Sequence, residues 1–483
     1  MKYYFAPMEG VSGYIYRNAY QKHFHNIDRY FTPFIAPKKN HAMSSKEKND
    51  VLPEHNLGLT VIPQILTNQA EYFLHTSSVL AEMGYTEVNL NLGCPSSTVV
   101  SKKKGAGFLS EPDRLEHFLE DVTEETIAQI HQQMDDLYEK DFFIEYKDAL
   151  IYVERTDSVG NMRAGLVGKI DLEEYDYHAG SISKIRPTEA TIVERIPPRM
   201  KVRQDALLES PHIMLLIDDT EQTVIEPLGQ CRSELKVVYD FPLMNGGGHI
   251  KGYLVEGTAR KNLETALKNL CSDDFFVNRY GMPDQAPVYF ATGDGNHSLA
   301  TAKACYNHLK RTNPEKDLSN HPARYALVEL VNLHSPALEF EAIHRVITKT
   351  DGDALLANMM ETLRLVECSE TNDEAQQLGI VQNGQIKEMV ITKPTSKLTV
   401  GSLQQFLDEY LEKHAGEIDY IHGDDVVCEL TQQPESIGFL LPDPAKKDLF
   451  PSVIADGALP RKTFSMGHAD DKRYYLECRK IKE

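Results

Sequence analysis

An apolar run at 287–292 (PVYFAT) leads into Gly293-Asp294-Gly295-Asn296-His297, and 298–310 (SLATAKACYNHLK) continues with helical spacing. A glycine-rich turn from strand to helix leaves backbone N–H groups and the positive end of the helix dipole where an anion can sit. Asp294 could hold a metal or take a hydroxyl proton, and His297 could bind phosphate or shuttle protons. The plainer alternative is an Asp-Gly turn whose only role is to start a helix. Gly246, Gly247 and Gly248 pose the same choice, a loop that approaches a ligand or a flexible turn.

A second group lies near the start of the chain. APMEGVSG (6–13), PQIL (63–66), NLNLGCP (89–95) and KKKGAGFL (102–109) place Gln64, Asn91 and Cys94 at or just past the ends of short apolar segments. The elements that position them read as a strand at 61–66, a helix at 70–83 stopped by Gly84, and a strand at 86–92. Strand–helix–strand in that order is the pattern of a parallel α/β sheet or barrel. A long polar helix is expected over 111–140. Beyond 149 the texture changes. Strands fit 149–155, 164–170, 212–217, 235–240, 287–292, 324–332, 340–348, 387–392, 436–441 and 473–479. Helices fit 257–271, 298–310, 353–365, 402–414 and 445–456, without regular alternation, so α+β is expected there.

The 483 residues suffice for two or three domains, and 41% hydrophobic with 25% charged residues is the mixture of a folded protein. A net charge of −21 argues against broad nonspecific binding to nucleic acid. Residues 1–122 carry a net −1 and the remainder −20, which suggests a boundary near 122. The seven cysteines are scattered and never form a CxxC pair, which argues against a disulfide framework or structural zinc. No run approaches the roughly 18–20 apolar residues of a membrane span, and MKYYFAPMEG reads as neither signal nor transit peptide, so the cytoplasm is the expected location.

The four motifs of 1–122 together resemble the N-terminal half of the tRNA-dihydrouridine synthases, flavin enzymes built on a TIM barrel. The resemblance implies that Pro7 and Met8 lie under an FMN ring and that Gln64 and Asn91 meet its pyrimidine edge. It also implies that Cys94 protonates a flipped-out uracil and that Lys102, Lys103 and Lys104 face tRNA phosphates. The barrel pattern stops near residue 122, well short of the ~250 residues of eight strands, and the basic residue and phosphate loops of the second half do not follow in order.

SKIRPTEATIVERIPPR (183–199), PHIMLLIDD (211–219), the Asp294–His297 turn and LPRKTFSMGHADDKRYYLECR (459–479) resemble a bacterial family catalogued as domain of unknown function 1015. Its DG-x-H motif looks like that of the ParB/sulfiredoxin superfamily, which includes nucleotide hydrolases and a free-serine kinase. The resemblance implies a nucleotide or phosphate pocket, with Mg a candidate companion, around Gly293, Asp294, Gly295, Asn296 and His297. Arg186, Glu189, Arg195 and Arg199 would be its neighbours. Asn296 and Ser298 stand where the superfamily often has His and Arg, which removes one cation. Lys462 and Arg473 read as ordinary surface charges.

The expected fold is therefore a partial TIM-barrel fragment (1–122), a connecting helix (123–148) and a larger, ParB/sulfiredoxin-like α+β domain (149–483). Three functions follow: a nucleotide- or phosphate-binding, phosphotransfer-type module in 149–483; an FMN-dependent tRNA-dihydrouridine synthase with Cys94 as proton donor; or a non-catalytic fusion of two fragments.

Overall fold

A computed structural model describes residues 3–39, 41–210, 213–367, 376–466 and 475–482. The chain divides into two compact units, Met1–Asp136 and Leu137–Glu483.

In the smaller unit, strands Tyr4–Phe5, Arg29–Phe31 and Val61–Ile62 pair in parallel in that order, and Gln64–Ile65 pairs in parallel with Asn89–Leu90. Helices Tyr14–His23, Ser45–Val51 and Ala70–Glu82 alternate with them. The strand expected over 61–66 is thus split. Pro63 has no N–H to give to a ladder, and the Gln64 N–H goes to Thr32 Oγ1 at 3.1 Å instead. The strand expected over 86–92 shortens to two residues. Ser44 starts the second helix with a reciprocal cap, its hydroxyl accepting from Glu47 N–H and the Glu47 carboxylate taking Ser44 N–H. Ile35, Val51, Ile65 and Leu80 form the core under the helices. Arg17, fully buried, is held by Ser12 O, Asp50 and Asn56.

The helix expected over 111–140 spans Pro112–Glu139. The connector expected to be helical to 148 leaves the helix there, and Asp141 takes a positive φ of 50°, which an α-helix does not accommodate.

The larger unit holds an eight-stranded mixed sheet. Its spatial order is Lys236–Pro242, His249–Leu254, Ile151–Thr156, Met162–Asp171, Tyr325–Asn332, Met214–Ile217, Phe290–Asp294 and Ile185–Pro187. Neighbours run antiparallel except Tyr325–Asn332 with Met214–Ile217 and Phe290–Asp294 with Ile185–Pro187. Helices Gly257–Leu270 and Asn296–Thr312 cover one face through Leu263, Leu270, Leu299, Ala302 and Tyr306. A separate six-stranded antiparallel sheet packs against helices Gly352–Leu363 and Thr399–Leu411. Its core is built from Ile347, Leu355, Leu403 and Phe439, all fully buried.

Among the described residues no helix is long and apolar enough to cross a membrane. The glycine triplet closes the hairpin between Lys236–Pro242 and His249–Leu254. A side chain at Gly248 would strike Thr156 O at 1.9 Å, so its glycine is a packing requirement.

Candidate functional site

Phe290–Asp294 ends on Gly295, whose φ of +82° makes the left-handed turn into helix Asn296–Thr312. The Asp294 carboxylate accepts the Gly295 N–H at 2.7 Å. The neighbouring edge strand is tied down by Thr188, whose hydroxyl donates to Thr292 O at 2.6 Å. His297, in the first turn of the helix, accepts the Ile192 N–H through Nε2 at 3.3 Å. That bond places the proton of the neutral imidazole on Nδ1. Burial, then Arg199, then Arg195 hold its pKa below the ordinary histidine value.

Arg195 and Arg199 sit one turn apart at the start of Ile196–Arg203, and Arg199 Nη1 donates to Arg195 O at 2.9 Å. This helix packs against Asn296–Thr312. The structure therefore gathers Asp294, Gly295, Asn296, His297, Arg195 and Arg199 at one helix start.

Arg186 and Glu189 are occupied elsewhere. Arg186 donates to the carbonyls of Ser183 and Ala286, each at 2.9 Å. Glu189 accepts the Thr463 N–H at 3.1 Å, and burial raises its pKa against that bond and the nearby Arg345. Arg186 thus ties the edge strand to the loop ahead of Phe290–Asp294, and Glu189 braces it onto the segment at 459–463, where Leu459 N–H reaches Thr188 O at 2.7 Å. Lys462 supplies a carbonyl to Arg345 Nη1 at 3.0 Å. Arg473 lies outside the described residues, and of the strand expected at 473–479 the described part forms a strand only at Arg479, in Arg479–Lys480.

In the smaller unit, Gln64, Asn91 and Cys94 come together past the ends of adjacent parallel strands. Asn91 Nδ2 donates to Gln64 Oε1 at 2.7 Å, and Gln64 Nε2 donates to Asn89 Oδ1 at 2.9 Å. Asn91 Oδ1 accepts the N–H groups of Gly93 at 3.1 Å and Cys94 at 2.9 Å. Pro7 and Met8 follow the first strand, with Met8 61% exposed. Lys102 and Lys103 give their carbonyls to Asn68, and burial lowers the Lys104 pKa, helped by Lys102.

Two polar groupings in the larger unit were not among the site residues expected from the sequence. Buried Asp218, at the end of Met214–Ile217, accepts from Arg279 at 3.1 and 3.0 Å, from Tyr280 OH at 2.8 Å and pairs with His334 Nε2 at 2.6 Å. Buried Glu329 accepts two bonds of 3.2 Å from Arg163 and lies 3.6 Å from Arg155 Nε, which also stacks on Tyr475. The paired aspartates of LLIDD and the Asn332-x-His334 spacing at the ends of neighbouring parallel strands were the available signal. Among the described residues no three His, Cys, Asp or Glu side chains are placed to hold a metal.

Residues 109–410 match the family model described as "Protein of unknown function (DUF1015)", and residues 4–131 match that of dihydrouridine synthase. The chain is similar to a probable tRNA-dihydrouridine synthase of Staphylococcus aureus strain Mu50, 27% identical over 187 residues, 38% of this chain and 54% of the relative. A Staphylococcus epidermidis relative of the same description is 24% identical over 201 residues, 40% and 57%. The chain spans about half the length of these curated relatives. A solved free serine kinase in complex with AMP aligns over 70% of this chain and 96% of its own, at 12% identity and a TM-score of 0.34.

Proposed function

The chain belongs to the family of proteins of unknown function matched over 109–410, and we propose that its larger unit binds a phosphorylated small molecule, a nucleotide in the first instance. The reading rests on one observation: Arg195, Arg199 and His297 converge on the start of Asn296–Thr312. The free N–H groups and dipole of that helix favour an anion. Two guanidinium groups and the His297 Nδ1–H add donors of the geometry that phosphate oxygens accept. Each charge-assisted bond is worth roughly 1.5–3 kcal/mol, so two or three contribute about 3–9 kcal/mol before entropy is counted, which places the expected affinity nearer millimolar than micromolar. Asp294 offers a place for the proton of an attacking hydroxyl, so phosphoryl transfer is the reaction class the site would support. A magnesium ion beside Asp294 would take its remaining ligands from phosphate and water. Calorimetric titration with ADP and ATP is expected to show binding that His297→Ala and the double change Arg195→Ala, Arg199→Ala abolish. Absence of binding to the unaltered protein would overturn the reading.

A second reading concerns the smaller unit. Its four successive parallel strand positions amount to half of the eight that close a (β/α)₈ barrel, in line with the dihydrouridine synthase match. Gln64 and Asn91 lock each other in place and leave the second Gln64 Nε2 hydrogen for a ring carbonyl, so these residues fit the pyrimidine edge of FMN. When bound, FMN would supply the hydride. Cys94 would hold the proton, Pro7 and Met8 would underlie the ring, and Lys102, Lys103 and Lys104 would face tRNA. A visible absorption spectrum of the purified protein tests this directly: a flavin band supports it, and a colourless protein that takes up no added FMN removes it.

A further inference from the structure

We infer that the smaller unit closes its sheet with a second copy of this chain, two half-rings of parallel strands joining edge to edge about a twofold axis. This closure rests on the half-barrel of the second reading above, and not on its flavin.

The strands of the smaller unit form one parallel row, from Tyr4–Phe5 through Arg29–Phe31, Val61–Ile62 and Gln64–Ile65 to Asn89–Leu90, with Ile35 bridged to Ile65 along the way. Among the described residues neither end strand has an outer neighbour. The hydrogen bonds identify the groups left over. Tyr30 and Thr32 give their N–H groups to Thr60 O at 2.8 Å and Ile62 O at 3.1 Å, so Arg29 and Phe31 are the residues that face Tyr3 and Phe5. Tyr4 N–H and C=O therefore point outward. At the other end, Asn89 and Asn91 give their N–H groups to Pro63 O at 2.9 Å and Ile65 O at 2.8 Å, which turns Leu90 N–H and C=O outward. An unpaired edge of this kind is a template for another chain.

The first edge of one copy fits the last edge of another, a head-to-tail contact that closes only if the rotation per copy divides a full turn. Four strand positions are half of a (β/α)₈ ring, so the rotation is about 180° and two copies complete it. A twofold along the ring axis keeps every strand parallel and curves both halves toward one centre. The flanks of the two edges carry exposed apolar side chains. The Phe5 ring lies 6.0 Å from Tyr16 and 5.1 Å from Tyr20, which seats helix Tyr14–His23 on the first strand and leaves Ile15 71% exposed. Phe118 packs on Phe73 and Phe108, in the elements just before and after the last strand, and leaves Leu119 51% exposed. Residues 1–122 carry only −1 of the net −21, so copies that meet through this unit set little like charge against each other. Closure would place the Gln64, Asn91 and Cys94 groups of both copies around one mouth, at the C-terminal ends of the strands.

Sedimentation equilibrium of the full chain at micromolar concentration is expected to give twice the mass of one chain. Ile15→Lys alters the first edge alone and Leu119→Lys the last edge alone. Both positions are exposed, and far-ultraviolet circular dichroism checks that each variant keeps its fold. A homodimer of either variant has one altered side in both of its contacts, so self-association is expected to weaken on the order of tenfold or more. Mixing the two variants gives one contact altered on both sides and one left intact, so the mixture is expected to associate more tightly than either variant alone. A monomeric unaltered chain overturns the inference. A dimer that withstands both substitutions, a dimer that only one of them breaks, or a mixture that does not re-associate overturns it as well, since none of these joins first edge to last. Absorption spectra of the same samples keep the two readings apart: a flavin-bearing monomer removes the closure and leaves the flavin, and a colourless dimer broken and restored in this way does the reverse.

Discussion

His297 Nε2 receives the Ile192 N–H at 3.3 Å, so the edge segment that carries Arg195 and Arg199 is fastened to the helix by a bond that only unprotonated imidazole can accept. Burial, and then the charges of Arg199 and Arg195, hold the folded-state pKa below the usual ~6.5, and protonation would break that bond besides. A depressed pKa means that the unfolded chain binds the proton first. The contribution to stability is therefore complete above about pH 6.5 and is lost as pH falls from there toward the folded value. Thermal midpoints measured from pH 8 to 5 should fall more steeply for the unaltered protein than for His297→Gln. Bound phosphate should raise the His297 titration midpoint seen by NMR, because a dianion offsets the two arginines.

Asp218 predicts a larger effect. Burial alone would raise its pKa, but the bonds from Arg279, His334 and Tyr280 outweigh it and hold the carboxyl below the ordinary range. Asp218→Asn sets an N–H against a ring of donors and should cost about 3 kcal/mol in denaturant unfolding. Tyr280→Phe removes one donor and should cost about 1 kcal/mol. The carboxylate's contribution is present above about pH 4 and disappears as pH falls below it, so the gap between Asp218→Asn and the unaltered protein should close in acid. A gap that stays constant with pH would mean that Asp218 is not the ionised centre of the group.

What the sequence made legible follows from the range of the interactions. The helices at 257–270, 296–312, 352–363, 399–411 and 446–455 fall where 3.6-residue apolar spacing places them, because each buries one stripe. The Asp294–His297 turn was readable because a strand-to-helix reversal needs glycine at a positive φ. By contrast, Tyr14–His23 is a helix whose buried residue is Arg17, a pattern that apolar spacing does not register. Strands His249–Leu254 and Gln376–Gln382 were missed, one starting just after the glycine turn and the other reading as mixed polar sequence. Asp218 lies in a segment the sequence singled out, but its role was illegible for a different reason: its partners Arg279 and His334 lie 61 and 116 residues away. Arg186 and Glu189 show the converse, since charge and motif drew attention to side chains that brace backbone.

Gly252 should tolerate no side chain. A Cβ there would meet the Tyr239 ring at 2.2 Å, and Tyr239 is fixed by its hydroxyl bond to the Glu477 carboxylate. Gly252→Ala is expected to cost about 1–3 kcal/mol. Tyr239→Leu should relieve most of that loss in the double variant, since the flat ring is the obstacle. Chemical denaturation of the two single variants and the double variant measures the coupling, and additive losses would place the strain elsewhere.

In the smaller unit, Asn91 bears on both stability and the exposure of Cys94. Its side chain accepts two N–H groups from the Gly93-Cys94 turn while donating to Gln64. Asn91→Ala leaves those two N–H groups unpaired and should destabilise this unit by about 1–3 kcal/mol. The turn is further held by Ala106 N–H on Cys94 O at 3.0 Å, and Gly105 packs so closely that a Cβ would lie 2.7 Å from the same oxygen. With one anchor removed and the other kept, the expected result is a loosened turn rather than an unfolded unit. Alkylation of Cys94 by iodoacetamide, followed by peptide mass spectrometry, should then be several-fold faster in Asn91→Ala. Cys271, whose thiol burial pushes up to about 11, serves as the internal standard in the same digest. Because Cys271 lies in the larger unit, loss of the smaller unit's own unfolding transition under the same conditions would be the sign of an unfolded unit, and no acceleration at Cys94 would show that the Asn91 bonds do not restrain it.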